Sequence, residues 1–300
     1  MDTSVRIQSK VHISSASKKV YTAMFRKFIR YLQSKNLQVD TIEAKEIFQF
    51  LTETDSAGAP VLKSNIQHRY LRLLERVYTH LGIRPRPTDD LMFGAMRENY
   101  KLKGRNLVSV ALTELEQQRF LSALPSIPSL PSTDKWKKCR DRVMLLVMLG
   151  AGLTVSELLT LRVDQVNPTP ELDGSWEIEV EVPGDENGIQ DHTTLLDTRF
   201  KTDLATWLKI REQLVVSGDL LFPGTGGEML DAASIYRLCK KIFSSADILI
   251  PHEGGRTLRN TYAVNQLGLG VSPIIVKERL GLYEDRSMLT YLELEKRESR

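Results

Sequence analysis

Only two cysteines occur in 300 residues, Cys139 and Cys239, a hundred positions apart and with no Cys or His beside them at metal-ligand spacing. That excludes a disulfide framework and a cysteine-based metal site, and both thiols read as small buried hydrophobes. Long apolar runs are missing too. The longest, Val143 to Leu149, is far short of a membrane span, and the opening MDTSVRIQSK has no apolar signal core. The expectation is a cytoplasmic protein, nucleoid-associated in a bacterial host, with no membrane partner. Repeats and low-complexity tracts are absent, and no lysine lies between Cys139 and Phe200.

What is present is an uneven charge. Met1 to Val110 holds 19 Lys and Arg against 10 Asp and Glu, a net of +9, while the remainder holds 22 against 28, a net of −6. A basic first third on an acidic remainder points to a polyanionic partner, most simply nucleic acid. A solvated basic surface is the other reading. The length favours two domains over one core.

The first part reads as a small helical bundle. From Ser15 to Lys35, Tyr21, Phe25, Phe28, Ile29 and Leu32 recur at helical spacing, with Lys19, Arg26 and Arg30 on the opposite side. A second helix is expected from Ile42 to Leu51, entered through Asp40-Thr41, and DSAGAP (Asp55 to Pro60) is a loop. Ser64 is expected to cap a long helix to about Leu81 that aligns Arg69, Arg72 and Arg76 on one face; Gly82 ends it. A short fourth helix is placed around Asp89 to Met96. Residues 98–110 have no period and read as a linker between domain 1–97 and domain 111–300.

In the second part Thr113 caps a helix, PSIPSLP (Pro125 to Pro131) is a loop, and an apolar helix runs from about Lys135 to Leu149, broken by Gly150-Ala151-Gly152. Ser156-Glu157 begins another. WEIEVEV (Trp176 to Val182) alternates as a strand, PGDENG (Pro183 to Gly188) turns, and HTTLLD (His192 to Asp197) returns. Helices fill the rest, interrupted by LFPGTGG (Leu221 to Gly227).

Five landmarks then stand in order: GAGLTVSELLTLRVDQV (Gly150 to Val166), the hairpin after Trp176, LFPGTGG, RTLRNTYA (Arg256 to Ala263) and LGLYEDRSMLTYLEL (Leu280 to Leu294). Over nearly its full length the chain resembles the tyrosine recombinases of the phage integrase family. The resemblance implies a mainly α protein of two domains: an N-terminal SAM-like, core-binding helical bundle and a C-terminal catalytic-type domain with a small antiparallel sheet, together clamping duplex DNA. In such enzymes a tyrosine attacks a DNA phosphate while two arginines hold its free oxygens, their forked donors matching that anion. A hairpin lysine and histidines assist proton transfer, and no metal or other cofactor is implied.

Carried onto this chain, the second arginine matches Arg259 and the nucleophile Tyr291. The first arginine is replaced by Thr154. No lysine occupies the hairpin turn, which holds Asp185 and Glu186 instead. The histidine three residues before the second arginine is Arg256, the one that follows it is Asn260, and the His or Trp nine positions before the tyrosine is Leu282. If each missing group gave a factor of about 10², the combined loss would be about 10⁶-fold or more even with strong non-additivity.

These substitutions favour a DNA binder over an enzyme: an accessory, targeting or regulatory factor of a mobile element. The DNA-binding residues expected are Lys19, Arg26, Arg30, Arg69, Arg72 and Arg76 with Arg256 and Arg259, while Asn65, Gln67 and His68 are placed to read base edges. Two alternatives stay open. One is a working recombinase using Tyr291; the other is a regulator that pairs with itself or with another recombinase or transposition protein, through a tail such as ELEKRESR.

Overall fold

The computed structural model describes residues 15–103, 109–126, 136–169, 174–182 and 190–298, with the side chains of 15–19, 65, 99–103 and 298 outside the description. Two compact units emerge, Met1–Val108 and Ser109–Arg300. The turn acids Asp185 and Glu186, most of the PSIPSLP loop and the end of the tail lie outside the described residues, as do the side chains of Lys19 and Asn65.

The first unit is helical: α1 (Ser15–Ser34), α2 (Ala44–Thr52), α3 (Ser64–His80) and α4 (Gly94–Lys103). Its core is aromatic. Phe28 and Tyr70 both meet the Phe50 ring, at 5.1 and 5.0 Å between centroids, in the edge-on geometry that aromatic quadrupoles favour. Phe28 and Leu32 are buried as their spacing requires, whereas Tyr21, Phe25 and Ile29 line an apolar recess of about 640 Å³ with Leu73, Val77 and Leu81.

Several boundaries differ from the sequence reading. Helix α2 begins after Glu43, not Asp40-Thr41, because Glu46 Oε2 accepts the Glu43 N–H at 3.0 Å. Ser64 is the first helical residue of α3, and the capping position is Lys63. Gly82 does stop that helix, at φ 71°, where the left-handed backbone suits glycine. Beyond it, two 3-10 turns (Pro87–Asp89 and Leu91–Phe93) take up half of the expected fourth helix. Helix α4 starts later and continues to Lys103, so the first part of the expected linker is helix.

The second unit begins with α5 (Glu114–Ala123), where Thr113 Oγ1 accepts the Glu116 N–H as the Thr-x-x-Glu pattern predicts. Helix α6 (Trp136–Ala151) is the central element, buried along almost its entire last three turns. Gly150 and Ala151 belong to that helix; the break comes at Gly152, at φ 72°. Helix α7 (Val155–Thr160) follows at once. The sheet has three antiparallel strands, not two: β1 (Val166–Asn167), β2 (Trp176–Val180) and β3 (His192–Leu196) in that order. The two-residue β1 is too short to leave an alternating pattern, which is why sequence periodicity misses it.

Helices α8 (Lys201–Gln213), α9 (Ala232–Ser245), α10 (Gly255–Gly268), α11 (Pro273–Arg279) and α12 (Met288–Glu298) complete the unit. Helix α10 packs along α6 and carries a continuous buried run from Thr257 to Val264. Among the described residues no helix is long and apolar enough to cross a membrane. Both cysteines are buried free thiols, pushed up by burial to about 11 for Cys139 and about 12 for Cys239.

Candidate functional site

Arg259, which the resemblance matches to the second arginine, sits in the middle of the second unit. Arg259 lies one turn into α10 and is only 5% exposed. Its Nη1 donates to Gly152 O at 2.8 Å and to Glu157 Oε2 at 3.2 Å, and its Nη2 donates to Leu280 O at 2.6 Å. Three of its five N–H donors therefore meet acceptors of the chain itself, leaving Nε–H and one Nη2–H. Burial of a guanidinium requires this kind of pairing, since an isolated charge in low dielectric is costly.

Glu157 is the anion that makes the burial possible. It is 3% exposed, and its Oε2 also accepts the Thr154 N–H at 2.7 Å. Thr154 Oγ1 in turn accepts the Glu157 N–H at 3.2 Å, closing a reciprocal capping box at the start of α7. Thr154 thus works as a helix cap in the place where the resemblance puts the first arginine. Its hydroxyl carries no charge, so Arg259 and Glu157 form a cluster of zero net charge.

The other expected positions are distributed around this pair. Leu282 is buried with Tyr262, Val276, Leu280 and Met288 in an apolar cluster, and Tyr291 on α12 packs half-buried against it. Asn260, placed where a histidine is expected, is 3% exposed and donates from Nδ2 to Val110 O at 2.9 Å. It ties the beginning of the second unit to α10. Arg256 is exposed at the beginning of the same helix.

In the first unit Arg26 and Arg30 on α1 and Arg69, Arg72 and Arg76 on α3 are all exposed. Arg72 makes a long contact with Glu75 at 3.9 Å, and the Arg76 guanidinium lies over the Tyr21 ring at 5.7 Å. Gln67 and His68 are half-buried, and burial leads the lowering of the His68 pKa below the usual histidine value, with Arg72 adding to it. Gln67, His68 and the arginines of α3 share a helix and can serve hydrogen bonding to an anionic surface.

Two members of the Arg259 cluster escaped the motif reading. By sequence alone Glu157 is a helix-start residue and His192 part of a return strand. Yet His192 shares its face of β3 with Thr194 and Leu196, both fully buried, so strict alternation already turned its imidazole inward. Burial lowers its pKa, with Arg259 pushing the same way and Glu157 and Asp191 opposing.

Comparison with known families matches residues 111–298 to the phage integrase family. The chain belongs to that family. Among curated relatives it is similar to the tyrosine recombinase XerD of Shewanella oneidensis, at 26% identity over 90% of this chain and 83% of the relative. It is also similar to the tyrosine recombinase XerA of Pyrococcus horikoshii, at 28% over 69% and 78%. The fold is that of XerH site-specific recombinase bound to palindromic difH substrate: TM-score 0.69, 19% identity, 94% of this chain and 77% of the other. A lambda integrase dimer bound to a core site gives TM-score 0.63 and 17% identity over 96% and 92%. A mainly helical tyrosine-recombinase fold with a small antiparallel sheet is thereby established.

Proposed function

We propose that this phage integrase family member binds duplex DNA at a specific site and has lost strand cleavage, acting as an accessory, targeting or regulatory factor of a mobile element. The observation that carries the reading is the state of Arg259. Catalysis in this family needs two forked cations converging on one phosphate, and here one position is a helix cap, while the other guanidinium is folded back onto Glu157, Gly152 and Leu280. Leu282 and Asn260 are engaged in packing and in a backbone hydrogen bond, so neither is placed to move a proton.

DNA binding has separate support. The related XerH and lambda integrase structures are complexes with their DNA sites. In this chain the exposed cations of α1 and α3 are free to face a phosphate backbone, and the basic balance of the first 110 residues suits that role. By this reading residues 1–97 are the core-binding domain and residues 111–300 a catalytic-type domain that grips without cutting.

The test is selection of duplexes from a random pool by the full chain, followed by binding isotherms at several salt concentrations. A selected duplex bound with a steep salt slope, and recovered uncut, is the expected result. Failure to enrich any sequence would refute site-specific binding.

A further inference from the structure

Thr154 leaves the Arg259 cluster one cation short of what a phosphate requires. Glu157 already cancels the charge on Arg259, so a phosphodiester arriving there would leave the cluster with net −1. In a poorly hydrated site that excess charge is unfavourable unless a proton or another cation enters with it.

One group nearby is built to take a proton. His192 Nδ1 lies 2.9 Å from Gln190 O. A carbonyl oxygen only accepts, so Nδ1 carries the hydrogen, and in the neutral ring Nε2 is a bare lone pair. That Nε2 is buried and has no hydrogen-bond partner among the described residues; Glu157 Oε1 is in the same condition.

The ring is also held firmly. It lies on Gly281, where any side chain would overlap the imidazole, and Gly281 O accepts the Gln190 N–H at 2.9 Å. The residue before it, Leu280, provides the carbonyl that holds Arg259 Nη2. Among the described residues, the charged groups bearing on the imidazole are Glu157 from α7, Arg259 from α10 and Asp191 from the edge of its own strand. The Leu280 to Leu282 turn contributes only backbone and apolar atoms.

We propose that His192 is the second cation of this site: a DNA phosphate seated beside Arg259 draws a proton from solvent onto Nε2, and the imidazolium provides the positive charge that Thr154 does not. The inference rests on the DNA-binding reading. No bond of the DNA is made or broken, and the only chemical change is proton uptake by the imidazole. In the free protein His192 is neutral and stands by; in the complex it is charged.

The experiment follows the histidine imidazole signals of the full, isotope-labelled chain by NMR from about pH 5 to 8, free and with a duplex selected from the random pool. The His192 signal is assigned by replacing the other four histidines in turn, so the measurement does not depend on a His192 variant folding. The expected result is an apparent pKa for His192 higher by about one unit or more in the complex, a tenfold change in proton affinity. His192→Gln should then lose up to about tenfold of the affinity that wild type gains as pH falls. An unchanged His192 titration while other signals report bound DNA would overturn the inference and leave DNA binding standing. Failure to bind any duplex at any pH would remove both.

Discussion

Glu157 Oε2 lies 3.2 Å from Arg259 Nη1 and 2.7 Å from the backbone nitrogen of Thr154. One carboxylate oxygen therefore joins the two positions, Arg259 and Thr154, at which the family resemblance expects its paired arginines. The pair is largely buried, with side chains 6% and 3% exposed, so each charge depends on the other. That mutual dependence separates what this cluster does for stability from what it can do for DNA.

Glu157→Gln should destabilise the second unit by about 3–5 kcal/mol, because it strands a buried guanidinium and weakens the cap of α7 together. Denaturant unfolding of the full chain would measure it. A loss below about 1 kcal/mol would mean that water reaches Arg259 and that the pair is not closed.

Thr154→Arg restores the family residue type at that position without restoring the site. The cap hydroxyl is lost, costing about 1 kcal/mol, and on the proposed reading the new cation meets a cluster without the hairpin lysine and the histidines that the resemblance implies. Expected outcomes are a lower melting temperature and no covalent DNA product. A cleaving variant would show that a single charge was all that was missing.

Arg72→Glu with Arg76→Glu reverses two exposed charges on α3. DNA affinity should fall, and the slope of log affinity against log salt should become shallower by up to about 2, one phosphate contact for each residue. Titrations of one selected duplex at several salt concentrations check this. Unchanged affinity would remove α3 from the DNA-binding face.

Acidification should destabilise the second unit partly through His192. Burial holds its folded pKa below the usual value of about 6.5, so its neutral form contributes stability fully above that pH, and the contribution is lost as pH falls through the folded value. His192→Gln cannot titrate. Its stability should decline less than that of wild type between about pH 7 and 5, measured by denaturant midpoints.

Helix positions, the hairpin and the family resemblance were legible because they rest on periodicity and motif order, which a sequence displays directly. Phe28 and Leu32 went to the core as their spacing required, and Thr113 capped α5 through Glu116. The site was legible only as a set of substitutions. What Thr154 does depends on the carboxylate three residues later bending back to it, and what Arg259 does depends on carbonyls 107 and 21 residues away in sequence. His192 was hidden for the same reason: its neighbours, Glu157 and Gly281, come from other elements. The strand β1 and the extension of α4 to Lys103 were missed because two residues are too few to alternate and a polar, basic helix has little period to read.

The central claim is that the DNA is held and not cut. The most direct measurement incubates the full chain, and Tyr291→Phe, with a nicked form of its selected duplex, on which a phosphotyrosyl bond would be trapped. The products are then run on a denaturing gel. The account predicts binding in both proteins and no slow-migrating protein–DNA adduct in either. An adduct formed by wild type and absent from Tyr291→Phe would contradict it, and would make Tyr291 a working nucleophile.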